Sequence, residues 1–289
     1  MDHEDTTRWV EPGVLYLVGT PIGNLADWSP RAQSVLQEVD LILCEDTRVT
    51  GLLCHQHQID TPLLSFHAHN TKSRIPQILE RLQSGQALAL VSDRGMPALS
   101  DPGQELVDML WQEHAGKVSV IPGPSAAVSA FVISGFPAPF TFWGFLPRTG
   151  SLRRQVLADL AASVHTSIIY EAPHHLKVTL KDLSALGEPD RPVMLGREIT
   201  KRHEEFWRGT LAQLQSWERE WRGEIVLVIG PKPPVVDSQP NWEQLQQQVA
   251  DLVADGMHQK EAIRRIASEM SLPKRDLYQF IVNRLHKED

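Results

Sequence analysis

Five short apolar runs recur through the first half of the chain, and each is followed by a loop rich in Gly, Pro or polar residues. The runs are continuous rather than alternating, which is typical of strands buried on both faces of a parallel sheet. Segments with helical spacing separate them, so the pattern predicts β–α alternation with right-handed crossovers. The runs are VLYLV (14–18), LILC (41–44), LLSF (63–66), ALALV (87–91) and KVSVI (117–121).

The helices between these strands are predicted from their spacing and their starts. Ser29 followed by Pro30 is typical of a helix start, because the serine caps the helix and proline suits its first turn. Helices are predicted at 31–39, 72–84, 103–114 and 125–134. Because ligands bind beyond the carboxyl ends of parallel strands, the five loops are expected to border one cleft.

The pattern changes at 134–150, where SGFPAPFTFWGFLPRTG is interpreted as a break in the rhythm. Beyond it, helices are predicted at 152–162 and 174–186. Four more strands are predicted in this half of the chain. The end of the second of these and the whole of the third alternate between apolar and polar residues more than the early strands do. This alternation predicts an antiparallel pair in a mixed sheet. The later strands are TSIIYEA (166–172), PVMLGREIT (192–200), EEFWRGT (204–210) and GEIVLVIG (223–230).

The chain becomes all-helical after PKPPVVDSQP (231–240), a Pro-dense segment that is typical of a linker. Apolar residues at helical spacing predict three helices, within 241–256, 258–270 and 273–285. The last two resemble a helix-turn-helix unit. They carry the pairs Arg264-Arg265 and Lys274-Arg275, for which a nucleic-acid contact and a solvated face of a packing module are both open interpretations.

Composition narrows the class of protein. The chain has 289 residues, is 42% hydrophobic and carries a net charge of −8, values typical of a globular protein of about two domains. The acidic N-terminus is not expected to be a secretory signal, and no apolar stretch approaches the ~20 residues that span a bilayer. With only Cys44 and Cys54, a reducing cytoplasm is expected. The charge weighs against nonspecific coating of nucleic acid but allows a local basic patch.

Acidic residues follow two of the predicted strands. Glu45-Asp46-Thr47-Arg48 could polarise a hydroxyl, hold a metal or bind an ammonium or ribose group, and the alternative is an ordinary helix N-terminus. In the loop after the fourth strand, Asp93 is placed to bind a ribose hydroxyl or an amino group, and the alternative is a turn-rich connection. We expect both loops to be functional, because they share an edge with the other strand ends.

The loop from Pro122 to Ser125 matches neither a Walker loop nor GxGxxG, and its prolines remove N–H donors that would hold a phosphate. Its small residues would instead let a flat ligand pack on the backbone. Four histidines near the two cysteines raise the question of zinc, but their spacing matches no usual zinc pattern, so no metal site is expected. These histidines are His55, His57, His67 and His69.

Ten short motifs follow one another along the chain: GTPIGNLAD, EDTR, HxHN, SDxGxPxxSDPG, PGPSA, GFLPR, YEAPHHL, REITK, RGT and RGEIVLVI. In this order they resemble the ribosomal RNA small subunit methyltransferases I of the tetrapyrrole methylase superfamily, over about residues 12–232. The C-terminal helices are similar to the helix-turn-helix region of that group.

The resemblance implies an α/β fold of two domains, with a parallel sheet in 12–124, a mixed sheet in 125–232 and S-adenosylmethionine in the cleft between them. A C-terminal helical region follows at 241–289. The implied reaction is 2′-O-ribose methylation of a cytidine in the decoding region of small-subunit ribosomal RNA. The resemblance implies a homodimer, and we expect it to be cytoplasmic, with no metal and no membrane contact.

The resemblance also implies roles for individual residues. Those implied to bind the cofactor are Asp93, Met96, Pro97, Ser125, Ala126, Tyr170, Glu171, Gly223 and Glu224. Those implied to face the substrate are Thr20, Pro21, Glu45, Asp46, Arg48, His67 and His69. Within the second set, Glu45, Asp46 and His67 are candidate bases, and Arg48 is a candidate clamp for a phosphate or for developing charge.

Three residues depart from the usual pattern of the family. Arg94 replaces a small residue, Met96 stands where Thr is frequent, and His175 replaces a usual Arg. A long cation at position 94 could crowd the cofactor or point outward to an RNA phosphate. The departures concern affinity for cofactor and RNA more than the class of reaction.

Three other functions are compatible with parts of the sequence. The chain could methylate a small molecule such as a tetrapyrrole, which the basic C-terminal helices disfavour. It could be an RNA-binding homologue impaired in catalysis, with Arg94 filling the cofactor pocket. A metal-dependent phosphoesterase built on Glu45 and Asp46 is a more distant alternative.

Overall fold

The computed structural model describes residues 9–114, 116–186, 189–232, 242–270 and 274–285. By its internal contacts the chain divides into two compact units, with the division between Lys232 and Pro233. The first unit contains two five-stranded sheets. The described part of the second unit consists of three helices around a separate hydrophobic core.

The first sheet is parallel throughout, as the continuous apolar runs predict. Its strands are β1 (Val14–Val18), β2 (Leu41–Cys44), β3 (Leu63–Ser65), β4 (Leu88–Val91) and β5 (Lys117–Ile121). Their spatial order is β3-β2-β4-β1-β5, so β5 lies at one edge. The helices that connect or follow them are α1 (Pro30–Glu38), α2 (Thr47–Gln56), α3 (Thr71–Gln83), α4 (Gln104–Glu113) and α5 (Ala126–Ser134).

Both faces of the central strands β1, β2 and β4 are buried, whereas the edge strand β5 is largely exposed, so the predicted burial on both faces is wrong for β5. Val14, Tyr16 and Val18 of β1 pack on the face that α1 covers, whereas Leu15 packs with α3 and α4 on the other face. Successive side chains of a strand point to opposite faces, so a strand covered on both sides needs an unbroken apolar run. This explains why the runs in the sequence do not alternate.

Side-chain caps set two of the helix starts. The Ser29 hydroxyl accepts a hydrogen bond of 3.0 Å from the Ala32 N–H at the predicted start of α1. The Asp46 carboxylate accepts one of 2.8 Å from the Arg48 N–H, so the loop after β2 does begin a helix. The pattern does not predict α2 itself, because only Thr50 and Cys54 of this helix are buried and its apolar face is narrow.

The second sheet is mixed, as predicted. Its strands are β6 (Phe140–Phe145), β7 (Thr166–Glu171), β8 (Pro192–Arg197), β9 (Glu205–Thr210) and β10 (Ile225–Ile229). They lie in the order β6-β7-β10-β8-β9, with β6 parallel to β7 and the other neighbours antiparallel. The predicted antiparallel pair is β8 with β9, which runs from Pro192 opposite Thr210 to Arg197 opposite Glu205. The helices here are α6 (Gly150–Ala162), α7 (Pro173–Ala185) and α8 (Leu211–Gln215).

The interpretation of 134–150 as a break is wrong in its middle, where β6 forms. The pairing of β6 with β7 shifts between Phe142 and Gly144, and Gly144 has a φ of 65°. Irregular edge strands of this kind tolerate glycine and flanking prolines. The Gly and Pro residues therefore mark a bulged edge strand rather than a loop.

The second unit consists of α9 (Trp242–Ala254), α10 (Gln259–Glu269) and α11 (Lys274–Leu285). These confirm the three helices predicted from apolar spacing. Leu245 and Val249 of α9 pack with Ile263 and Ile266 of α10 and with Leu277 of α11. No helix in the described part of the chain combines the length and the apolar character needed to cross a membrane.

Arg191 is buried, with 2% of its surface exposed, and it connects the end of α6 with the end of β10. Its guanidinium donates to the carbonyl oxygens of Leu160, Ala161 and Ser163 at the end of α6, at 2.9–3.2 Å, and to that of Gly230 after β10 at 2.9 Å. The last carbonyl groups of a helix have no partner within the helix. Arg191 therefore supplies donors that the end of α6 lacks.

We predict that Arg191→Met lowers the free energy of unfolding by roughly 3 kcal/mol, because buried carbonyl groups lose charged donors. Urea denaturation followed by circular dichroism measures the change. Arg154→Met, at an exposed position of α6, is the matched control and should change little. Equal stability of the two variants would contradict this role of Arg191.

Candidate active site

A cavity of about 350 Å³ lies in the first unit, between the loop that follows β4 and the second sheet. Its volume lies within the range of small-molecule sites. The residues on its wall are Ile22, Arg94, Gly95, Met96, Leu99, Ser100, Asp101, Ser125, Ala126, Phe145, Tyr170, Glu171, Ala172, Pro173, Gly223, Glu224, Ile225 and Val226. The carboxyl ends of the parallel strands contribute to it, as expected from the fold.

The loop after β4 has an unusual backbone. Gly95 and Gly103 adopt positive φ angles, and so do Ala98 (63°) and Ser100 (70°), which have side chains. A non-glycine residue in this region costs roughly 1 kcal/mol or more and persists only where its surroundings require it. The loop is fixed by two backbone hydrogen bonds between Thr20 and Gly95, of 2.9 and 3.2 Å.

Glycines allow the loops after β1 and β5 to touch. A Cβ atom at Gly19 would lie 2.6 Å from the Cα atom of Gly123 and 2.7 Å from the sulfur of Met96, so neither loop has room for a side chain there. The Gly123 N–H also points at the Met96 sulfur, at 3.3 Å. Met96 thus fills the space between these loops and presents part of its surface to the cavity.

The opposite wall is aromatic and comes from the second sheet. Tyr170 makes edge contacts with Phe142 and Phe145, at ring-centroid distances of 5.0 and 5.5 Å. Burial raises the pKa of Tyr170, while hydrogen bonds with the Ala127 backbone and the Ser125 side chain act in the opposite direction. Tyr170 therefore links the second sheet to the start of α5.

A chain of ion pairs closes one side of the cavity. Arg94 pairs with Glu224, whose other carboxylate oxygen lies 3.0 Å from the Lys201 ammonium. Lys201 also pairs with Glu198 at 2.8 Å, and Glu198 accepts a hydrogen bond from the Glu224 N–H. Arg94 thus reaches from the loop after β4 to Glu224 beside the second sheet, and both residues lie on the cavity wall.

Carboxyl groups from the loops after β2 and β4 influence one another beside the cavity. Burial, the charge of Glu45 and that of Asp93 raise the pKa of Asp101 to about 6, against a hydrogen bond from Ser92. Partial burial and the charge of Asp93 raise the pKa of Glu45, against the neighbouring His67. Asp101 lies on the cavity wall and is close enough to Glu45 for the two charges to interact. Glu45 interacts in turn with His67, so Asp101 connects the cavity with the loops after β2 and β3.

His67 is positioned by Asn70, whose side-chain oxygen accepts a 2.8 Å hydrogen bond from the His67 N–H. The Nδ1 atom of His67 is buried and has no hydrogen-bond partner among the described residues. His69 is exposed and packs edge-on against the His67 ring. His67 is therefore the histidine of this loop that lies among the carboxyl groups.

Arg48 and Asp46 form a pair of their own. The Arg48 guanidinium donates from Nε and Nη2 to the two oxygens of Asp46, and its side chain is 89% exposed. The Arg48 side chain holds the pKa of Asp46 well below its usual range. Neither residue lies on the cavity wall, so the structure separates this pair from the cavity.

The structure places most of the predicted cofactor residues on the cavity wall. Asp93 and Pro97 are the two that lie elsewhere: Asp93 accepts a 3.2 Å hydrogen bond from the Asp46 N–H, and Pro97 is buried within its loop. Glu171 reaches the wall, but its oxygens accept from Thr179 and from the Ala172 N–H, at 2.5 and 2.8 Å. Its carboxylate is therefore already engaged.

Among the predicted substrate-facing residues, Thr20 and Pro21 are buried, and the Thr20 hydroxyl donates to carbonyl groups of the β4 loop. His175 lies in the first turn of α7 and does not reach the cavity wall. Within the described residues, no group of three or more His, Cys, Asp or Glu side chains is arranged to hold a metal ion.

Sequence reasoning assigned no role in the site to Asp101, Ser100 or Phe145. The sequence analysis selected Asp93 from the β4 loop, whereas the structure places Asp101 on the cavity wall, after left-handed residues at Ala98 and Ser100 that the sequence does not indicate. Phe145 was missed together with β6, the strand that carries it.

Comparison with known proteins finds a family model and several named relatives. The family model described as Tetrapyrrole (Corrin/Porphyrin) Methylases matches residues 14–215. A protein from Synechocystis sp. named Ribosomal RNA small subunit methyltransferase I is 45% identical over 272 residues, which cover 92% of this chain and 96% of that protein. A protein of the same name from Thermotoga maritima is 47% identical over 224 residues, covering 76% of this chain and 99% of its own length.

Solved structures share the fold at low identity. The methyltransferase CobJ superimposes with a TM-score of 0.58 at 19% identity, covering 75% of this chain and 93% of its own. Uroporphyrin-III C-methyltransferase from Thermus thermophilus, solved with S-adenosylhomocysteine, gives 0.54 at 18% identity, with 74% and 96% covered. The chain therefore belongs to the tetrapyrrole methylase family, within the group named ribosomal RNA small subunit methyltransferase I.

Proposed function

We propose that this chain transfers the methyl group of S-adenosylmethionine to the 2′ hydroxyl of a cytidine in the decoding region of small-subunit ribosomal RNA. One observation carries the proposal: a cavity of a size suited to a nucleoside lies beside carboxyl groups of the loops after β2 and β4. The name of the 45% identical relative agrees with this activity. A cytoplasmic location is proposed with it.

The cavity fits the chemistry of S-adenosylmethionine. Ile22, Leu99 and Phe145 offer apolar surface for an adenine, and Ser100 and Ser125 offer hydroxyls for a ribose. Acidic side chains at Asp101 and Glu224 suit the ammonium and sulfonium charges, while Arg94 suits a carboxylate. When bound, this cofactor supplies a methyl group made electrophilic by its sulfonium, and the protein aligns oxygen, carbon and sulfur.

We propose that Glu45 or His67 accepts the proton of the acceptor hydroxyl, with Asp101 between that pair and the cavity. A carboxylate with a raised pKa is a stronger base than an ordinary one. Asp46 holds Arg48 in the first turn of α2, where the exposed guanidinium can also contact an RNA phosphate. In this assignment Arg48 positions the acceptor and does not touch the cofactor.

We further propose a homodimer built on α5 and β5. Val128, Val132 and Ile133 of α5 are 50–72% exposed, and Val120 on the edge strand β5 is 51% exposed. An exposed apolar helix face and an exposed sheet edge are each typical of a surface that another protein covers. A second copy of this chain is the proposed occupant.

The proposed domain boundaries remain 12–124, 125–232 and 241–289.

One alternative has a specific observation in its favour. Because Arg94 lies on the cavity wall and pairs with Glu224, it could exclude the cofactor, which would leave an RNA-binding homologue without catalysis. Calorimetry with S-adenosylmethionine separates the two: we expect about one site per chain with micromolar affinity, near −8 kcal/mol. Absence of binding at millimolar cofactor would favour the alternative.

The proposed reaction predicts that label from tritiated S-adenosylmethionine enters ribosomal RNA at a 2′ oxygen. Isolated small subunits and free small-subunit RNA that lack the modification serve as substrates. Methylation of a 2′ hydroxyl blocks alkaline cleavage at the next phosphodiester, so the label should survive in an alkali-resistant dinucleotide that contains cytidine. Label in a base, or in neither substrate, would contradict the proposal.

The raised pKa of Asp101 predicts opposite effects on binding and stability. Below a pH of about 6 the carboxyl group is protonated, so affinity for the cationic cofactor should fall as the pH drops through this value. The folded state binds this proton more tightly than the unfolded state, so the group's contribution to stability is lost as the pH rises from about 4 to about 6.

Asp101→Asn should therefore weaken cofactor binding at pH 7.5, remove its pH dependence near 6 and raise the melting temperature. Calorimetry and thermal unfolding measure the two effects. Asp108→Asn, at an exposed position of α4, is the control and should change neither. A lower melting temperature for Asp101→Asn would contradict the assignment of Asp101 as a buried carboxylate whose charge destabilises the folded state.

The exposed position of the Arg48 guanidinium predicts that its removal lowers turnover without weakening cofactor binding. Arg48→Ala should lower kcat on ribosomal substrate roughly a hundredfold, since a misplaced acceptor loses rate steeply, while the cofactor Kd stays the same. Arg48→Lys should recover part of the rate, because lysine keeps the charge but not the two-pronged geometry. Loss of cofactor binding in Arg48→Ala would show that the cleft is divided differently.

A further inference from the structure

We propose that the groove between α10 and α11 binds a strand of RNA, with phosphates on three cations and a base against one aromatic ring. The groove is lined by Lys260, Ile263, Arg264, Arg275 and Tyr278. This inference rests on the proposed function, since it assigns to the second unit a contact with the RNA substrate.

The lining of this groove is cationic, whereas Glu261 and Glu269 line a neighbouring hollow that Lys260 and Arg264 also border. No carboxylate is among its lining residues, and Lys260, Arg264 and Arg275 form no ion pair with a described side chain. Lys260 and Arg264 are four residues apart on α10, where two like charges are neighbours and disfavour the helix. Arg265, one position further along, pairs with Glu269 at 2.9 Å. An anion in the groove would relieve the repulsion.

The aromatic ring favours RNA over an acidic protein segment. Tyr278 is 44% exposed beside the cations, and Ile263 lies next to it. Bases stack on exposed aromatic rings, and the same proteins track the phosphate backbone with lysine and arginine. An acidic peptide would use the cations but has no comparable need for the ring.

The groove is separate from the proposed chemistry. All of its residues lie after Lys232, whereas every residue of the cavity wall lies before it.

The test uses the full chain and a fluorescein-labelled RNA fragment from the decoding region, with binding measured by anisotropy from low to high salt. The triple variant Lys260→Gln, Arg264→Gln, Arg275→Gln should bind roughly tenfold or more weakly at low salt, and the slope of log K against log salt should fall by about 2. Tyr278→Ala should weaken binding roughly tenfold with the slope unchanged, whereas Tyr278→Phe should bind like the wild type.

Arg264→Gln and Arg265→Gln are the matched pair, since they remove the same charge at adjacent positions of α10. Only the first should reduce the salt slope, and equal effects of the two would overturn the proposal. An unchanged slope in the correctly folded triple variant would also overturn it. The proposal would also be overturned if the triple variant bound free RNA normally but bound whole subunits weakly, because that result indicates a contact with protein. Because binding is read without methyl transfer, failure of the proposed reaction is seen separately.

Discussion

Close packing of backbone against backbone at the carboxyl ends of β1, β4 and β5 determines the geometry of the whole cleft. The Gly19 N–H donates to the Ile121 carbonyl at 3.0 Å, and Thr20 and Gly95 exchange two hydrogen bonds. Gly19 and Gly123 leave no room for a side chain between their loops. Because the loops are held this closely, Ser125 and Ala126 at the start of α5 reach the same cavity as the loop after β4. A side chain at either glycine would separate these two contributions.

The loop after β4 shows how the fold holds an unfavourable arrangement in place. Ala98 and Ser100 have left-handed backbones, and Asp101 carries a carboxyl group that burial keeps partly protonated near neutral pH. The Thr20 and Ser92 hydroxyls donate to carbonyl groups of this loop and so fix its path. Strain and buried charge at one place are typical of sites shaped for a ligand rather than for stability. The packed strand ends supply the rigidity that this arrangement requires.

The parts of the fold that follow from periodicity were predictable, and the parts that follow from backbone path were not. Continuous apolar runs predicted the parallel sheet, and alternation predicted the β8 and β9 pair. The sequence pattern does not predict the bulged edge strand β6, because its glycine and flanking prolines are also typical of loops. In the β4 loop, the sequence analysis selected Asp93 rather than Asp101, because the left-handed residues Ala98 and Ser100 that precede Asp101 are not glycines and give no signal in the sequence. The motifs placed the remaining residues because they mark strand ends.

Charge presents the last constraint, since the chain has a net charge of −8 and the proposed acceptor is a polyanion. The carboxyl groups around the cavity suit a cationic cofactor, but they repel phosphates. At physiological ionic strength, exposed charges act over a Debye length of about 8 Å, so local arrangement matters more than the total. Asp46 holds Arg48 at an exposed position, and Lys260, Arg264 and Arg275 lie together in one groove of the second unit. In the proposed function, an acidic protein thus binds both partners by keeping its acids near the cofactor and these cations where the RNA backbone is held.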